Sequence, residues 1–174
     1  MGPAEGGWST AADWSSGSVP STFDVACIGS GKTVKVTEGT NRTGVVQGEG
    51  TLSITGGSLE LANVLESSII KTFRLNNATL TGAGTLSVSG QFEWTGGGTM
   101  SGSGKTIVTS NLSGNQIGGS ALLTERTFVT EGEMRFAGNN MMSMSEGARL
   151  ENKGTFKANT LNVSEGIRVE GPLV

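Results

Sequence analysis

The segment GAGTLSVSGQFEWTGGGTMSGSGKT, residues 82–106, separates short alternating stretches by glycine and serine roughly every six or seven residues. Leu86-Ser87-Val88 and Phe92-Glu93-Trp94 each read apolar, polar, apolar, which is the period of two expected for a strand with one buried face. No ten-residue run in this segment repeats its apolar residues at the 3.6-residue period of a helix. The segment therefore predicts short β-strands separated by glycine-containing corners.

The same apolar-polar-apolar triad recurs along the chain. The triads are Val34–Val36, Leu52–Ile54, Leu59–Leu61, Phe73–Leu75, Leu86–Val88, Phe92–Trp94, Met134–Phe136, Phe156–Ala158, Leu161–Val163 and Ile167–Val169. Weaker strands are predicted around Val45, Leu80, Met100, Ile107, Leu112, Ile117, Leu122, Phe128, Met142 and Leu150. Three strands and three corners take roughly twenty residues, a period typical of repeat architectures. We therefore predict an all-β fold, a right-handed parallel β-helix (β-solenoid) with three short strands per coil of about 20 residues.

The glycines favour this fold over a β-sandwich or an up-and-down barrel. Those folds space their turns by about 8–12 residues and favour Asn-Gly or Asp-Gly hairpins, and neither dipeptide occurs in the chain. Glycine accounts for 29 of the 174 residues, well above the usual share of ~7%. We expect glycines such as Gly82 and Gly90 to form corners at positive φ. Where coils stack about 4.8 Å apart, Thr and Ser should form outward ladders.

Charge and cysteine content restrict the partners. The net charge is −3 and the basic residues are spread along the chain, so we do not expect a nucleic-acid partner. The single cysteine, Cys27, cannot form an intrachain disulfide. The apolar runs are only a few residues long, so no membrane insertion is expected. Residues 1–3 show neither the basic nor the apolar region of a secretion signal, and we expect any signal of the parent protein to lie outside this sequence.

The N-terminal residues 1–36 differ from the rest of the chain. They contain Trp8, Asp13-Trp14, Pro20 and Asp24-Val25-Ala26, followed by a short strand. In these residues the chain resembles the opening unit of bacterial autotransporter passengers and related glycine-rich surface proteins. That resemblance implies a parallel β-helix with a capping or first-coil role for this segment, and large side chains are what a solenoid needs to cover its open end. We predict one structural domain, with a Trp-rich cap and first strand at 1–36 and the solenoid coils at 37–174.

The sequence GSGKT occurs twice, at 29–33 and at 102–106. A phosphate-binding loop requires G-x-x-x-x-G-K-[ST] at the start of a helix. The first glycine of that pattern is replaced by Ala26 in one copy and by Thr99 in the other, and both copies continue into alternating strand patterns. We interpret both as a corner followed by a strand and predict no nucleotide or other cofactor.

Candidate catalytic residues are few. The chain has no His and no Tyr, and its only aspartates are Asp13 and Asp24. We therefore predict no Ser-His or Cys-His nucleophile pair, no catalytic residue and no metal site. The carboxylates of Glu131 and Glu133 keep a glutamate-based glycan hydrolase as an alternative, although their spacing places them on one face of a strand by alternation alone.

Two further features have alternative readings. Trp94 could stack on a glycan if it faced outward, but it shares a strand face with Phe92, which favours a core position. Methionines accumulate near the C-terminus, at Met134, Met141, Met142 and Met144. We interpret them as core residues of slightly irregular coils, with a methionine-rich binding surface as the alternative.

These observations predict a non-enzymatic role. We expect a structural or adhesive segment of a larger extracellular or cell-surface protein, with glycans, other cell-surface proteins or further segments of the same parent chain as partners. The alternative is a carbohydrate-binding or accessory module of a glycan-degrading enzyme.

Overall fold

A computed structural model describes residues 4–137, 141–159 and 166–169. Its one short helix in these ranges is a 3-10 turn at Ala11–Asp13. The strands are β1 Glu5–Gly7, β2 Val25–Cys27, β3 Thr33–Val36, β4 Thr40–Thr43, β5 Val45–Ile54, β6 Ser58–Leu61, β7 Ser68–Asn76, β8 Thr79–Thr81, β9 Leu86–Val88 and β10 Phe92–Thr95. They continue as β11 Thr99–Met100, β12 Lys105–Val108, β13 Gln116–Gly118, β14 Ala121–Thr124, β15 Thr127–Thr130, β16 Glu133–Ala137, β17 Met141–Ser145, β18 Arg149–Asn152, β19 Thr155–Asn159 and β20 Gly166–Val169.

The strands form a three-sided parallel β-solenoid, as the triads predict. The first face carries β2, β9, β12, β15 and β18, and the second carries β1, β3, β10, β13, β16 and β19. The long strands β5 and β7 run along both of these faces. The third face is a separate sheet of β4, β6, β8, β11, β14, β17 and β20. About six coils of roughly 21 residues stack in this way, which agrees with the predicted coil length.

The predicted strands agree with the observed ones, with one exception. Every triad in the described ranges lies within a strand, and Leu161–Val163 lies outside the described residues. The prediction of a strand around Leu112 is wrong: this residue lies in the corner between β12 and β13, and its side chain is 48% exposed. Its carbonyl accepts a hydrogen bond from Asn115 N at 3.0 Å, which closes a turn. The inward position of this corner is taken by the side chain of Asn115, which is fully buried.

The core consists of apolar residues stacked coil on coil. Parallel pairing places Phe92 next to Phe73, and their rings stack at a centroid distance of 5.9 Å. Phe128 lies 5.4 Å from Phe92 and 5.9 Å from Trp94, so aromatic rings of several coils form one cluster. Burial of such rings supplies much of the stabilisation of a solenoid, because each coil buries its apolar side chains only against its neighbours.

Glycines allow neighbouring corners to approach closely. Gly82 has φ +101°, as predicted, and a Cβ there would lie 2.3 Å from Leu61 O. Gly90 is not at positive φ, so that prediction is wrong, although a Cβ there would still lie 2.7 Å from Lys71 O. Gly90 is needed for close approach of the preceding coil, and Gly82 both for close approach and for its backbone conformation.

Arg126 holds three coils together at the corner between the third and first faces. Its side chain is fully buried, and Glu125, just before it, has φ +63°. All five guanidinium N–H groups are donated, to Thr106 Oγ1 at 2.9 Å and to the carbonyls of Gly82 (3.0 Å), Ser101 (3.2 Å), Gly84 (2.9 Å) and Lys105 (3.0 Å). Burial lowers the pKa of Arg126 to about 10, which leaves the guanidinium charged at neutral pH. The charge is thus solvated by backbone dipoles of the coils below it.

Asn115 also joins neighbouring coils by hydrogen bonds, at the corner between the first and second faces. Its Oδ1 accepts from Phe92 N at 3.0 Å, and its Nδ2 donates to Ser110 O at 2.9 Å and to Glu133 O at 3.2 Å. One amide therefore bonds the backbone of the coil before it and the coil after it. Because the amide is fully buried, these bonds satisfy polar groups that water does not reach.

The outward positions form polar ladders between coils. On the third face, Ser101 Oγ donates to Thr81 Oγ1 at 2.9 Å and Ser145 Oγ to Thr124 Oγ1 at 3.1 Å, which confirms the expected ladders of Ser and Thr. On the second face, ion pairs join neighbouring coils, including Arg74 Nε with Glu93 Oε2 at 3.2 Å. These exposed pairs contribute little individually, typically ~0.2–1 kcal/mol.

The N-terminal segment packs against the first coil. Strand β1 pairs with β3, and Trp8 continues this pairing through its N–H to Lys35 O at 2.8 Å. Trp8 is buried in the core, whereas Trp14 is partly buried and packs against it. The two rings meet edge to face at a centroid distance of 5.2 Å.

The turn formed by Ser21 and Asp24, in the same N-terminal segment, contributes to stability in a pH-dependent way. The Ser21 hydroxyl donates a hydrogen bond to Asp24 Oδ2 at 2.6 Å, and the Ser21 N–H donates another at 2.7 Å. The hydroxyl bond first, and the N–H bond second, lower the pKa of Asp24 below its ordinary value of 3.8. Because the folded pKa is the lower one, this contribution is present above pH 3.8 and disappears as the pH falls through the folded pKa. We expect NMR titration to show the Asp24 carboxyl titrating below 3.8, and Ser21→Ala to move it back towards that value. An Asp24 titration unchanged by Ser21→Ala would contradict this assignment.

Candidate functional site

A cleft lies at the first coil, and we name it the Trp14 cleft. It has a volume of about 450 Å³ and is lined on one side by residues within 6–15 and on the other by residues within 27–34. Its polar and aromatic lining includes Asp13, Trp14, Ser15 and Lys32. Ser15 and Cys27 are exposed, so the cleft opens to solvent.

The two most distinctive side chains of the cleft are held in place by the backbone. Trp14 Nε1 donates to Trp8 O at 2.8 Å, which fixes the plane of the indole ring. Asp13 Oδ2 accepts from Gly7 N at 2.8 Å, and a side chain at Gly6 would meet Asp13 at 3.1 Å. The 3-10 turn at Ala11–Asp13 places both residues opposite the corner that follows β2. The cleft therefore combines a positioned aromatic ring with a positioned carboxylate.

This arrangement has the features of a small-ligand site. Asp13 and Asp24 are the only aspartates of the chain, and the Asp24 carboxylate is hydrogen-bonded by Ser21 in its own turn. The residues that line the cleft include an aromatic one, Trp14, a carboxylate that accepts hydrogen bonds, Asp13, and Lys32. A concave site with a few convergent polar groups is typical of small-ligand binding.

Trp94 lies in the core, in agreement with the inward prediction. Its side chain is fully buried, and its Nε1 donates to Gly98 O at 2.8 Å. The ring packs 5.9 Å from that of Phe128. Because no part of the ring reaches the surface, Trp94 has no face to offer to a glycan.

The glutamate pair and the methionines also occupy structural positions. Glu131 pairs with Lys153 (3.5 Å) and Glu133 with Lys157 (2.9 Å), so each carboxylate joins its coil to the next. Met134, Met142 and Met144 are buried, which confirms the core interpretation for these three. Met141 differs, since 38% of its surface is exposed.

The two GSGKT sequences lead into strands, as predicted. The first precedes β3 and the second runs into β12, with Gly31 at φ +70° and Gly102 at φ +79°. They differ in position, because β3 lies on the second face and β12 on the first. The shared sequence thus encodes a corner and a strand start at two different corners of the rod.

Sequence patterns identified Trp14 and Asp13 only as parts of the cap. What they did not reveal is that residues 6–15 face the corner at 27–34 and leave a cleft between them. The one indication of a binding site in the sequence is that a charged residue, Asp13, stands next to an aromatic one, Trp14. Arg126 and Asn115 were missed because a lone polar residue in a corner gives no periodic signal.

No group of three or more His, Cys, Asp or Glu side chains in the described ranges could hold a metal ion. Within the same ranges there is no helix with the length and apolar character needed to cross a membrane. Comparisons with protein-family models, with curated proteins and with solved structures give no match to this chain.

Proposed function

We propose that this chain is a structural and adhesive rod, a non-enzymatic segment of a larger extracellular or cell-surface protein. The observation that supports this most directly is the uninterrupted stack. From β6 to β17, each third-face strand pairs in parallel with a strand of the coil before it and a strand of the coil after it. Buried polar side chains such as Arg126 also hydrogen-bond the corners of neighbouring coils to one another. Such a stack suits a rod that spaces and displays other parts of a larger protein.

The adhesive part of the proposal can be tested on beads. We expect beads coated with this chain to be retained under flow on a surface of immobilised cell-surface glycoproteins, above beads coated with an unrelated acidic protein of similar size. The matched control is the same surface after enzymatic removal of its glycans. Equal retention of both kinds of bead would overturn the adhesive role and leave that of a spacer.

The second candidate is an accessory carbohydrate-binding module of a glycan-degrading enzyme, and the Trp14 cleft is the observation that favours it. Fusing the chain to a glycan hydrolase would separate the two roles. An accessory module raises the activity on an insoluble glycan and leaves the activity on a soluble oligosaccharide unchanged, because it acts by raising the local concentration of enzyme at a surface.

A further inference from the structure

We propose that the Trp14 cleft binds a neutral pyranose sugar, as one or two sugar units of a surface glycan. This inference rests on the adhesive function proposed above and names its partner class and its site. The starting point is the cleft itself, which places Asp13, Trp14 and Lys32 around one volume of about 450 Å³. A volume of this size lies in the lower part of the ~300–1,000 Å³ range of ligand pockets and suits a mono- or disaccharide.

The aromatic ring meets the first requirement of sugar recognition. A pyranose carries C–H groups on its faces and hydroxyl groups on its rim, so it can pack a face on a flat apolar ring. Trp14 provides such a ring, and it is only partly buried although it packs against the core. The hydrogen bond to Trp8 O and the edge contact with the Trp8 ring at 5.2 Å hold it before any ligand arrives. Little further ordering of this side chain is then needed on binding.

The polar lining meets the second requirement. The Asp13 carboxylate accepts hydrogen bonds only, so it can receive those of sugar hydroxyls, and the hydrogen bond from Gly7 N at 2.8 Å fixes its position. Lys32 lies on the opposite side of the cleft. A neutral ligand with many hydroxyl groups can donate hydrogen bonds to this carboxylate, whereas a uronic acid could place its own carboxylate beside that of Asp13. Beside Asp13, a sugar hydroxyl is therefore favoured over a carboxylate.

The first test uses the tryptophans of the wild-type chain. Trp8 and Trp94 are buried, with 1% and 0% of their surface exposed, so acrylamide should quench mainly the fluorescence of Trp14. We expect cellobiose, lactose or maltose to protect Trp14 from quenching, with a dissociation constant on the order of 0.1–1 mM. Glucuronic acid should protect at least tenfold less well than glucose. If none of these sugars protects Trp14 at roughly 20 mM, which is 20 times the upper limit of the expected dissociation constant, the proposal is overturned.

The second test blocks the cleft and leaves Trp14 in place. A Cβ at Gly29 would meet only Lys32 Cγ, at 3.9 Å, so Gly29→Phe adds a ring to the cleft wall without a backbone clash. We expect this variant to bind the protecting disaccharide at least tenfold more weakly in calorimetric titration. Ser113→Phe is the matched control, because Ser113 is exposed on the same corner several coils further along, and it should bind like the wild type.

The outcomes separate the site from the function. Wild-type affinity in Gly29→Phe, with an unchanged melting temperature, would overturn the assignment of the cleft. If wild-type beads are retained on the glycoprotein surface while no sugar protects Trp14 of the wild-type chain, the adhesive function stands and this site is wrong. If wild-type beads are not retained but the sugar protects Trp14, the site stands and the adhesive function fails.

Discussion

Replacing Arg126 by Met should lower the free energy of unfolding by about 3–5 kcal/mol and the melting temperature by roughly 10 °C. Methionine retains much of the side-chain volume, so the loss would come from the hydrogen bonds. Four carbonyls, of Gly82, Gly84, Ser101 and Lys105, accept from the guanidinium. Without it these carbonyls lose their bonds from Arg126 in a buried corner, where each group left unsatisfied costs about 1–3 kcal/mol. Gly82 O keeps a backbone hydrogen bond, from Gly104 N at 3.1 Å. Urea denaturation and calorimetry would measure both quantities.

Arg74→Met is the matched control for this prediction. Arg74 also pairs with an acceptor in the next coil, Glu93, but its side chain is 48% exposed. An exposed pair of this kind should contribute under about 1 kcal/mol. If the two variants lose similar stability, the buried guanidinium does not hold the coils together, and the corner is stabilised by apolar packing alone.

Replacing Gly82 by Ala should be the second most damaging change, with a loss of about 3 kcal/mol. The backbone there has φ +101°, and the new Cβ would lie 2.3 Å from Leu61 O of the preceding coil. The corner must therefore open. Gly82 O would then move away from Arg126 Nη1, from which it accepts a hydrogen bond at 3.0 Å. Chemical denaturation of the variant measures the loss.

Gly39→Ala separates the two causes of that loss. Gly39 has φ +70°, but a Cβ there meets no atom within 4 Å. Only the conformational cost remains, about 1 kcal/mol. Equal losses at Gly82 and Gly39 would mean that the approach of neighbouring coils adds nothing, against the close packing of this corner.

The triads were predictable because a strand with one buried face alternates with a period of two, whatever surrounds it. Phe92-Glu93-Trp94 shows this: both aromatic residues are buried and the glutamate between them forms an ion pair at the surface. Strand β4, Thr40–Thr43, was not predicted because it contains no apolar residue. It is a strand because its backbone pairs with β6 of the next coil. The strand predicted around Leu112 is wrong for the converse reason: the residue is apolar, but its side chain is 48% exposed and the inward position of this corner belongs to Asn115.

The candidate site, too, could be predicted only in part from the sequence. Trp14 and Asp13 could be named from the sequence as residues of a cap, and the inward position of Trp94 followed from alternation with Phe92. The cleft could not be foreseen, because its two sides are separated along the chain by residues 16–26 and meet only when β1 pairs with β3.

The amino-acid sequence by itself determined that this protein is a stack of short strands turned by glycines, because alternation and the need for positive φ are local properties of each strand and corner. The tertiary structure alone decided which polar residues are buried and what they bind. Arg126 reaches carbonyls up to 44 residues away in the chain, and such contacts depend on the register between coils. That register is set by backbone pairing and close packing across the whole stack, which no single segment specifies.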